Sequence, residues 1–313
     1  MAWFKLGLAG SDSPPVQREN TRGLKRRTRE ALAAYALLAP AVLGLVTFVV
    51  FPMIYAFWVS LHRWNALSLQ MPWVGLQNYV SSFQDTDWLQ ALERTFLYTV
   101  IFVPSLFVMS LILALIVKSV PHLSGVFRTM FFLPVVMSPA ISGIIWTLVY
   151  SDRNGLINRY LEKFGIDPVH WLSSTHVALV SVVIVSVWLG MGYFMIIFLA
   201  GLQDIPKQYY EAAKIDGASS WQSFWFITLP NLRHTNIFVL IVSIIGSFQV
   251  FDQIMLMTGG GPANSTTLVV LYIFQQSFEQ YNFGYAAALS FILFMIILVF
   301  TLLQVKFLRI DEE

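Results

Sequence analysis

Six apolar stretches separated by polar or charged runs dominate the chain: roughly Ala33–Trp58, Phe96–Val117, Thr129–Tyr150, Val177–Leu202, Ile237–Met257 and Tyr285–Val305. A membrane-spanning helix needs about 20 mostly apolar residues, because each adds ~1.5 Å across a hydrocarbon core of ~30 Å. All six stretches are long enough. Five contain no Asp, Glu, Lys or Arg, and Ile237–Met257 contains one carboxylate, Asp252. Pro40, Pro52, Pro104, Pro134 and Pro139 fall inside the stretches. Membrane helices tolerate proline where neighbouring groups re-satisfy the freed backbone. The pattern predicts an all-α membrane protein with six transmembrane helices.

Composition agrees with that reading. The chain is 57% apolar and 12% charged, against about 45–50% and about 25% in soluble domains. A bilayer removes the need for polar cover. The net charge of +2 is informative only once the charges are placed. Seven Lys and Arg precede the first span: Lys5, Arg18, Arg22, Lys25, Arg26, Arg27 and Arg29. Lys118, Arg128, Lys207, Lys214, Arg233, Lys306 and Arg309 fall on the same side, and only Arg63, Arg94, Arg153, Arg159 and Lys163 on the other. This 14-to-5 split places both termini in the cytoplasm by the positive-inside rule. The expected organisation is a tail over 1–32, a six-helix domain over 33–308 and a short tail over 309–313. The first span exceeds the 7–15 apolar residues, roughly, of a signal-peptide core and reads as retained. The basic run before it reads as an orientation signal. Trp58, Trp64, Trp73, Trp88 and Trp171 sit at or beyond outer span ends, where interfacial tryptophans concentrate.

The most informative segment lies on the cytoplasmic side between spans four and five, over 204–230. Asp204 can cap a short helix with Pro206 at an early position, where the missing N–H costs nothing. Gly217 supplies a left-handed terminus. Ser219 and Gln222 have capping-box spacing, opening a second helix. Trp221, Phe224 and Trp225 give that helix an aromatic face, and Pro230 ends or kinks it. Such a helix–Gly–helix fits a docking element, an amphipathic helix on the membrane surface or an ordinary structured loop.

Three groups of residues in this segment, Glu211-Ala212-Ala213, Asp216-Gly217-Ala218 and Leu229-Pro230, resemble the EAA loop of ABC importer permeases. Phe251-Asp252-Gln253, the run from Met257 through the three glycines to Pro262, Ser265-Thr266, Tyr272 and Gly284 to Ala288 are similar to the carbohydrate branch of that family, with maltose-type and glycerol-3-phosphate-type members. The run from Trp73 to Tyr79 is also typical of it. The similarity extends from about Tyr35 to Leu308. It implies a type I importer permease fold and a coupling loop seated on an ATP-hydrolysing subunit, with Glu211 as a polar contact and Gly217 as the bend. Implied partners are a second homologous permease, an ATPase dimer carrying ATP and Mg, and an extracytoplasmic solute-binding protein. No cofactor on this chain and no nucleic acid are implied.

A sugar pathway needs hydrogen-bonding groups at membrane depth. Gln249, Asp252 and Gln253 stand at i, i+3 and i+4 with Gly246 a turn earlier, on one helical face. Intramembrane carboxylates face the bundle or water. The competing reading is hydrogen bonding between helices. Trp146 and Trp188 are weaker pathway candidates, since such residues more often pack or form a belt. The glycine run after Thr258 lacks the Gly-Lys-Ser/Thr ending of a phosphate-binding loop. It reads as an external turn, a candidate contact for the binding protein. His62, His122, His170, His176 and His234 form no metal-ligand or catalytic pattern, and cysteine is absent. No catalytic residue or metal ligand is assigned. The alternative function is an ion-gradient-driven secondary transporter, which would need more intramembrane titratable groups than Asp252. A membrane-embedded enzyme lacks clustered catalytic residues.

Overall fold

The computed structural model describes residues 20–68 and 70–308. The chain divides into two compact units, the first ending at Ala56 and the second beginning at Phe57. In the first, helix α1 (Asn20–Leu45) runs through a π turn (Val46–Val50) into α2 (Phe51–Ser60), which continues into the second unit. Pro52 cannot donate to the carbonyl four residues back, and the ladder widens just before it, with Phe51 N–H bonded to Val46 O. The apolar window of this span holds no buried residue. Helix begins at Asn20, so the part of the expected tail over 20–32 is helical. Lys5, Arg18, Arg309 and the tail over 309–313 lie outside the described residues.

The second unit contains α3 (Gln77–Ser82), α4 (Thr86–Ser119), a 3₁₀ turn (Pro121–Leu123), α5 (Ser124–Val136), α6 (Pro139–Val149), α7 (Leu156–Lys163) and α8 (Ala178–Asp204). There follow α9 (Lys207–Ile215), α10 (Ser220–Ser223), a π turn (Phe224–Thr228), α11 (Leu229–Asn231), α12 (Arg233–Phe248) and α13 (Asp252–Met257). After α14 (Val269–Phe274) and a π turn (Gln275–Glu279), α15 (Phe283–Leu308) completes the fold. No strand occurs among the described residues. The core forms where α4 lies along α8, burying Leu106, Val182, Val185, Met195 and Phe198. Hydroxyls tie further elements to it: Thr99 Oγ1 to Ser247 Oγ (2.9 Å), and Val269 N–H donating to Thr95 Oγ1 (2.9 Å). Such bonds hold membrane helices together where lipid offers no hydrophobic drive.

The helices Glu30–Ser60, Thr86–Ser119, Ala178–Asp204 and Phe283–Lys306 are long and apolar enough to cross a bilayer; six spans result if each of two bent pairs is one span. The third stretch is not a straight helix: it turns by 97° between α5 and α6. Ser138 (ψ 131°) is driven out of the helical region by the ring of Pro139, which then starts α6. The fifth stretch departs further from expectation. Its approach bends by 69° before Arg233, and the ladder then breaks at Gln249–Phe251. The 16 residues of α12 rise only about 24 Å, so α12 alone is short of a full span. Trp88, in the first turn of α4, is buried in protein. Helix α4 starts earlier than its apolar stretch, and Trp88 packs in a buried cluster with Ala91, Phe248, Val269 and Leu289.

Asp85 holds the start of α4. Its carboxylate caps the helix through Asp87 N–H and Trp88 N–H (both 3.1 Å) and accepts the hydroxyls of Tyr272 (2.7 Å) and Tyr285 (2.6 Å). Burial works against the charged form, but the bonds from Tyr285, Tyr272, Trp88 and Asp87 outweigh it and hold the carboxyl below its usual value. Stability from a depressed carboxylate is present above its unfolded pKa, about 3.9, and is lost as pH falls through the folded value. Asp85→Asn is expected to cost about 1–3 kcal/mol at neutral pH by stranding partly buried donors. In thermal melts of the purified chain, its gap to wild type should stay constant from pH 5 to 8 and narrow only on stronger acidification. A gap that closes near neutrality would refute this account.

Candidate functional site

The segment over 204–230 forms the helix–Gly–helix that local chemistry predicts, with one correction. Asp204 does not cap α9; it is the last residue of α8, and Pro206 (φ −59°, ψ 131°) takes the N-cap position. A proline there holds the extended conformation that an entry to a helix requires. Helix α9 ends in a two-bond terminus, with Gly217 N–H to Lys214 O (3.2 Å) and Ala218 N–H to Ala213 O (2.9 Å). Gly217 has φ +80°, the left-handed conformation this closure demands. Ser219 and Gln222 then make a reciprocal capping box: Gln222 Oε1 accepts from Ser219 N–H (2.8 Å), and Ser219 Oγ from Gln222 N–H (3.3 Å).

Two kinds of surface result. Glu211, Ala212, Asp216 and Gly217 are exposed, as are the apolar Ile215 (87%), Trp221 (69%) and Phe226 (78%) around the turn. Ala213 and Leu229 are half-buried, and Pro230 is exposed at the start of α11. The inner side is fastened. Tyr210, Phe224, Ile227 and Leu229 pack on the core, and Tyr210 OH bonds Thr228 Oγ1 (3.0 Å) across the two arms. A cavity of about 920 Å³ opens beside them, walled by Ile112, Leu115, Lys214, Trp221 and Phe224 among others.

The break after α12 dissolves the single helical face expected of Gln249, Asp252 and Gln253. Gln249 (φ −108°) ends α12, and Asp252 and Gln253 open α13 as a separate turn. Gln249 and Asp252 are exposed and Gln253 is half-buried. The three flank an interrupted helix, the kind of irregular backbone that membrane proteins place where it lines a cavity or is buried in protein. Trp146 and Trp188 do come together, ring to ring at 5.5 Å, and both pack against the core cluster. The glycine run is a self-bonded turn: Gly259 and Gly260 have positive φ, Thr266 Oγ1 donates to Gly261 O (2.7 Å) and Thr267 Oγ1 to Gly260 O (3.2 Å). Among the described residues no group of three or more His, Asp or Glu is placed to hold a metal ion.

Asp85 and Lys118 carry no functional expectation from sequence, yet both join distant elements. Aspartate just before a helix is a legible cap signal. The tyrosines that complete its site, 187 and 200 positions away, leave no local trace.

Broken apolar helices, a packed helix pair and a structured loop preceding the fifth apolar stretch are the features of a multi-pass helical membrane protein. The chain belongs to the family of binding-protein-dependent transport system inner membrane components, which matches residues 79–309. The trehalose/maltose transport system permease protein MalF of Thermococcus litoralis is 34% identical over 298 residues, covering 94% of this chain and 100% of its own. The lactose transport system permease protein LacF of Rhizobium radiobacter is 37% identical, covering 86% of this chain and 92% of its own. The sn-glycerol-3-phosphate permease UgpA of Agrobacterium fabrum is 34% identical, with 88% and 94% covered. In structure the fold matches a bacterial ABC transporter that imports the acidic polysaccharide alginate, with a TM-score of 0.81 at 25% identity over 93% of this chain and 100% of that one. The chain is therefore an ABC importer permease of the inner membrane, a transport subunit whose ATP is hydrolysed by a partner. Nothing in these matches favours an ion-gradient mechanism.

Proposed function

We propose that this chain forms one half of the translocation path of an importer for sugars or sugar-like solutes, with six spans and both termini in the cytoplasm. Its domain would run over 33–308 between tails over 1–32 and 309–313. A second homologous permease, an ATPase dimer binding ATP and Mg, and an extracytoplasmic binding protein complete the assembly. The segment over 204–230 is the coupling loop: Glu211 and Asp216 offer polar contacts, Gly217 the bend, and Ala212, Ala213, Leu229 and Pro230 the frame. One observation carries this reading. The turn between the two arms is closed by backbone bonds at Gly217–Ala218 and by the Ser219–Gln222 capping box, yet it presents Ile215, Trp221 and Phe226 at the surface. Exposed apolar groups on a rigid turn suit burial in another protein's cleft.

The solute class is supported by the relatives named above and by the arabinooligosaccharide permease AraP of Bacillus subtilis, 34% identical. Their named solutes are rich in hydroxyl groups, and Gln249, Asp252 and Gln253 at the interrupted helix supply matching donors and acceptors. Trp146 and Trp188 are the lesser pathway candidates, their rings being engaged with each other. ATPase closure would act through the loop to swing the spans from inward- to outward-facing, after which the binding protein releases solute. Gentle purification of the tagged chain from its own membrane should recover a second permease and an ATPase. ATP hydrolysis of that complex should rise at least severalfold with its binding protein. Recovery of the chain alone, importing under an ion gradient, would overturn the proposal.

A further inference from the structure

Lys118 stands in the last turn of α4, where three elements converge. Its Nζ donates to the carbonyl oxygen of Leu202 at 2.9 Å. Leu202 lies in the final turn of α8, whose last four carbonyls have no partner within the helix. A cation there also meets the negative end of the helix dipole. The same ammonium lies 5.2 Å from the ring centroid of Tyr210, in the first half of α9. Tyr210 OH in turn meets Thr228 Oγ1 at 3.0 Å, and Thr228 is bonded to Ser223 O at 3.3 Å. One connected path thus runs from the end of α4, through the end of α8 and the first arm of the helix–Gly–helix, to its second arm.

We infer that Lys118 is a positioning residue that transmits movement of the 204–230 loop to α4 and α8 together; this inference rests on the coupling role proposed for that loop. The backbone joins α9 to α8 through Ile205 and Pro206 and the second arm to α12 through Leu232, but it joins neither arm to α4. Without a cross-link, a displaced α9 would pull α8 and let α4 follow only through side-chain packing. Lys118 makes the two helix ends and Tyr210 share one ammonium, so the pair moves as a unit.

The test uses the complete importer, with its partner permease, ATPase and binding protein, in proteoliposomes. Lys118→Met keeps the apolar stem and removes the charge; Lys118→Arg restores a cation. The readout is solute imported per ATP hydrolysed, a ratio that a purely structural weakening does not move. Lys118→Met is expected to assemble and to hydrolyse ATP within twofold of wild type, while the ratio falls at least fivefold. Lys118→Arg should return it to within twofold. An unchanged ratio in Lys118→Met, or no rescue by Lys118→Arg, would overturn the inference. Should Lys118→Met not assemble, Tyr210→Phe decides: it keeps the ring and cuts the path to Thr228, so its ratio should fall, and a wild-type ratio refutes the relay. A wild-type chain that recovers no ATPase would instead refute the coupling role of the loop.

Discussion

Gly217→Asp is expected to cut solute import at least tenfold while the amount of chain in the membrane stays within twofold of wild type. Gly217→Asn is expected to keep most of the import. Both substitutions enter the same backbone, since φ at Gly217 is +80° and a Cβ there meets no atom within 4 Å. Asn and Asp are the side chains that visit this region most readily after glycine. Steric strain is therefore nearly matched between the two, and charge is what differs. An added carboxylate beside Asp216 opposes the dipole at the end of α9 by only about 0.3–1 kcal/mol. Its larger cost arises if the turn is desolvated in a partner's cleft, where an unpaired charge is strongly disfavoured. Import assays with quantified membrane levels separate the cases. Equal loss in both variants would assign the effect to the turn's shape, and no loss in either would refute docking at Gly217.

Gly192→Ala is expected to be the most damaging single-methyl change in the helical core. On α8, an added Cβ at Gly192 would fall on the carbonyl oxygen of Phe131, with the Phe131 carbon at 2.8 Å and Phe132 Cα at 3.0 Å. These are backbone atoms of α5 and cannot rotate aside. Small residues at such crossings let membrane helices approach closely. Separating α5 from α8 to admit one methyl should cost about 1–3 kcal/mol, the usual scale of overpacking. The comparison is Gly125→Ala on the same helix α5, where a Cβ meets nothing within 4 Å. That change should be neutral or gain up to about 1 kcal/mol of helix propensity. Melting temperatures of the two purified variants in one detergent check this; equal melting would mean that α5 gives way more easily than its backbone contact with α8 implies.

The features legible from sequence are those fixed by near neighbours. The turn at Gly217 is closed by bonds spanning three and five residues, and the capping box by bonds spanning three. Its chemistry is written within one short window. The bend at Ser138–Pro139 had a visible cause in the proline, though not a visible angle. The break at Gln249–Phe251 has no proline or glycine within it, and the i, i+3, i+4 argument failed there because it assumed an unbroken ladder. Val250 and Phe251 pack with Phe274 against the core instead, with the rings of Phe251 and Phe274 5.1 Å apart. The burial of Trp88 was not legible for a similar reason. An apolar count cannot see that a helix continues through Glu93 and Arg94 when its buried side still finds partners.

Legible in the residues alone were the helical membrane class, the approximate positions of the apolar stretches and the local shape of the loop over 204–230. A bilayer permits few solutions for long apolar runs, and caps and turns are local bonds. Tertiary structure decided where helices break, that α14 folds back between α4 and α15, and that Asp85 and Lys118 stand at junctions. The junctions at Asp85 and Lys118 depend on partners 84 to 200 residues away in the chain. Only packing brings such groups within the ~3 Å over which a hydrogen bond acts.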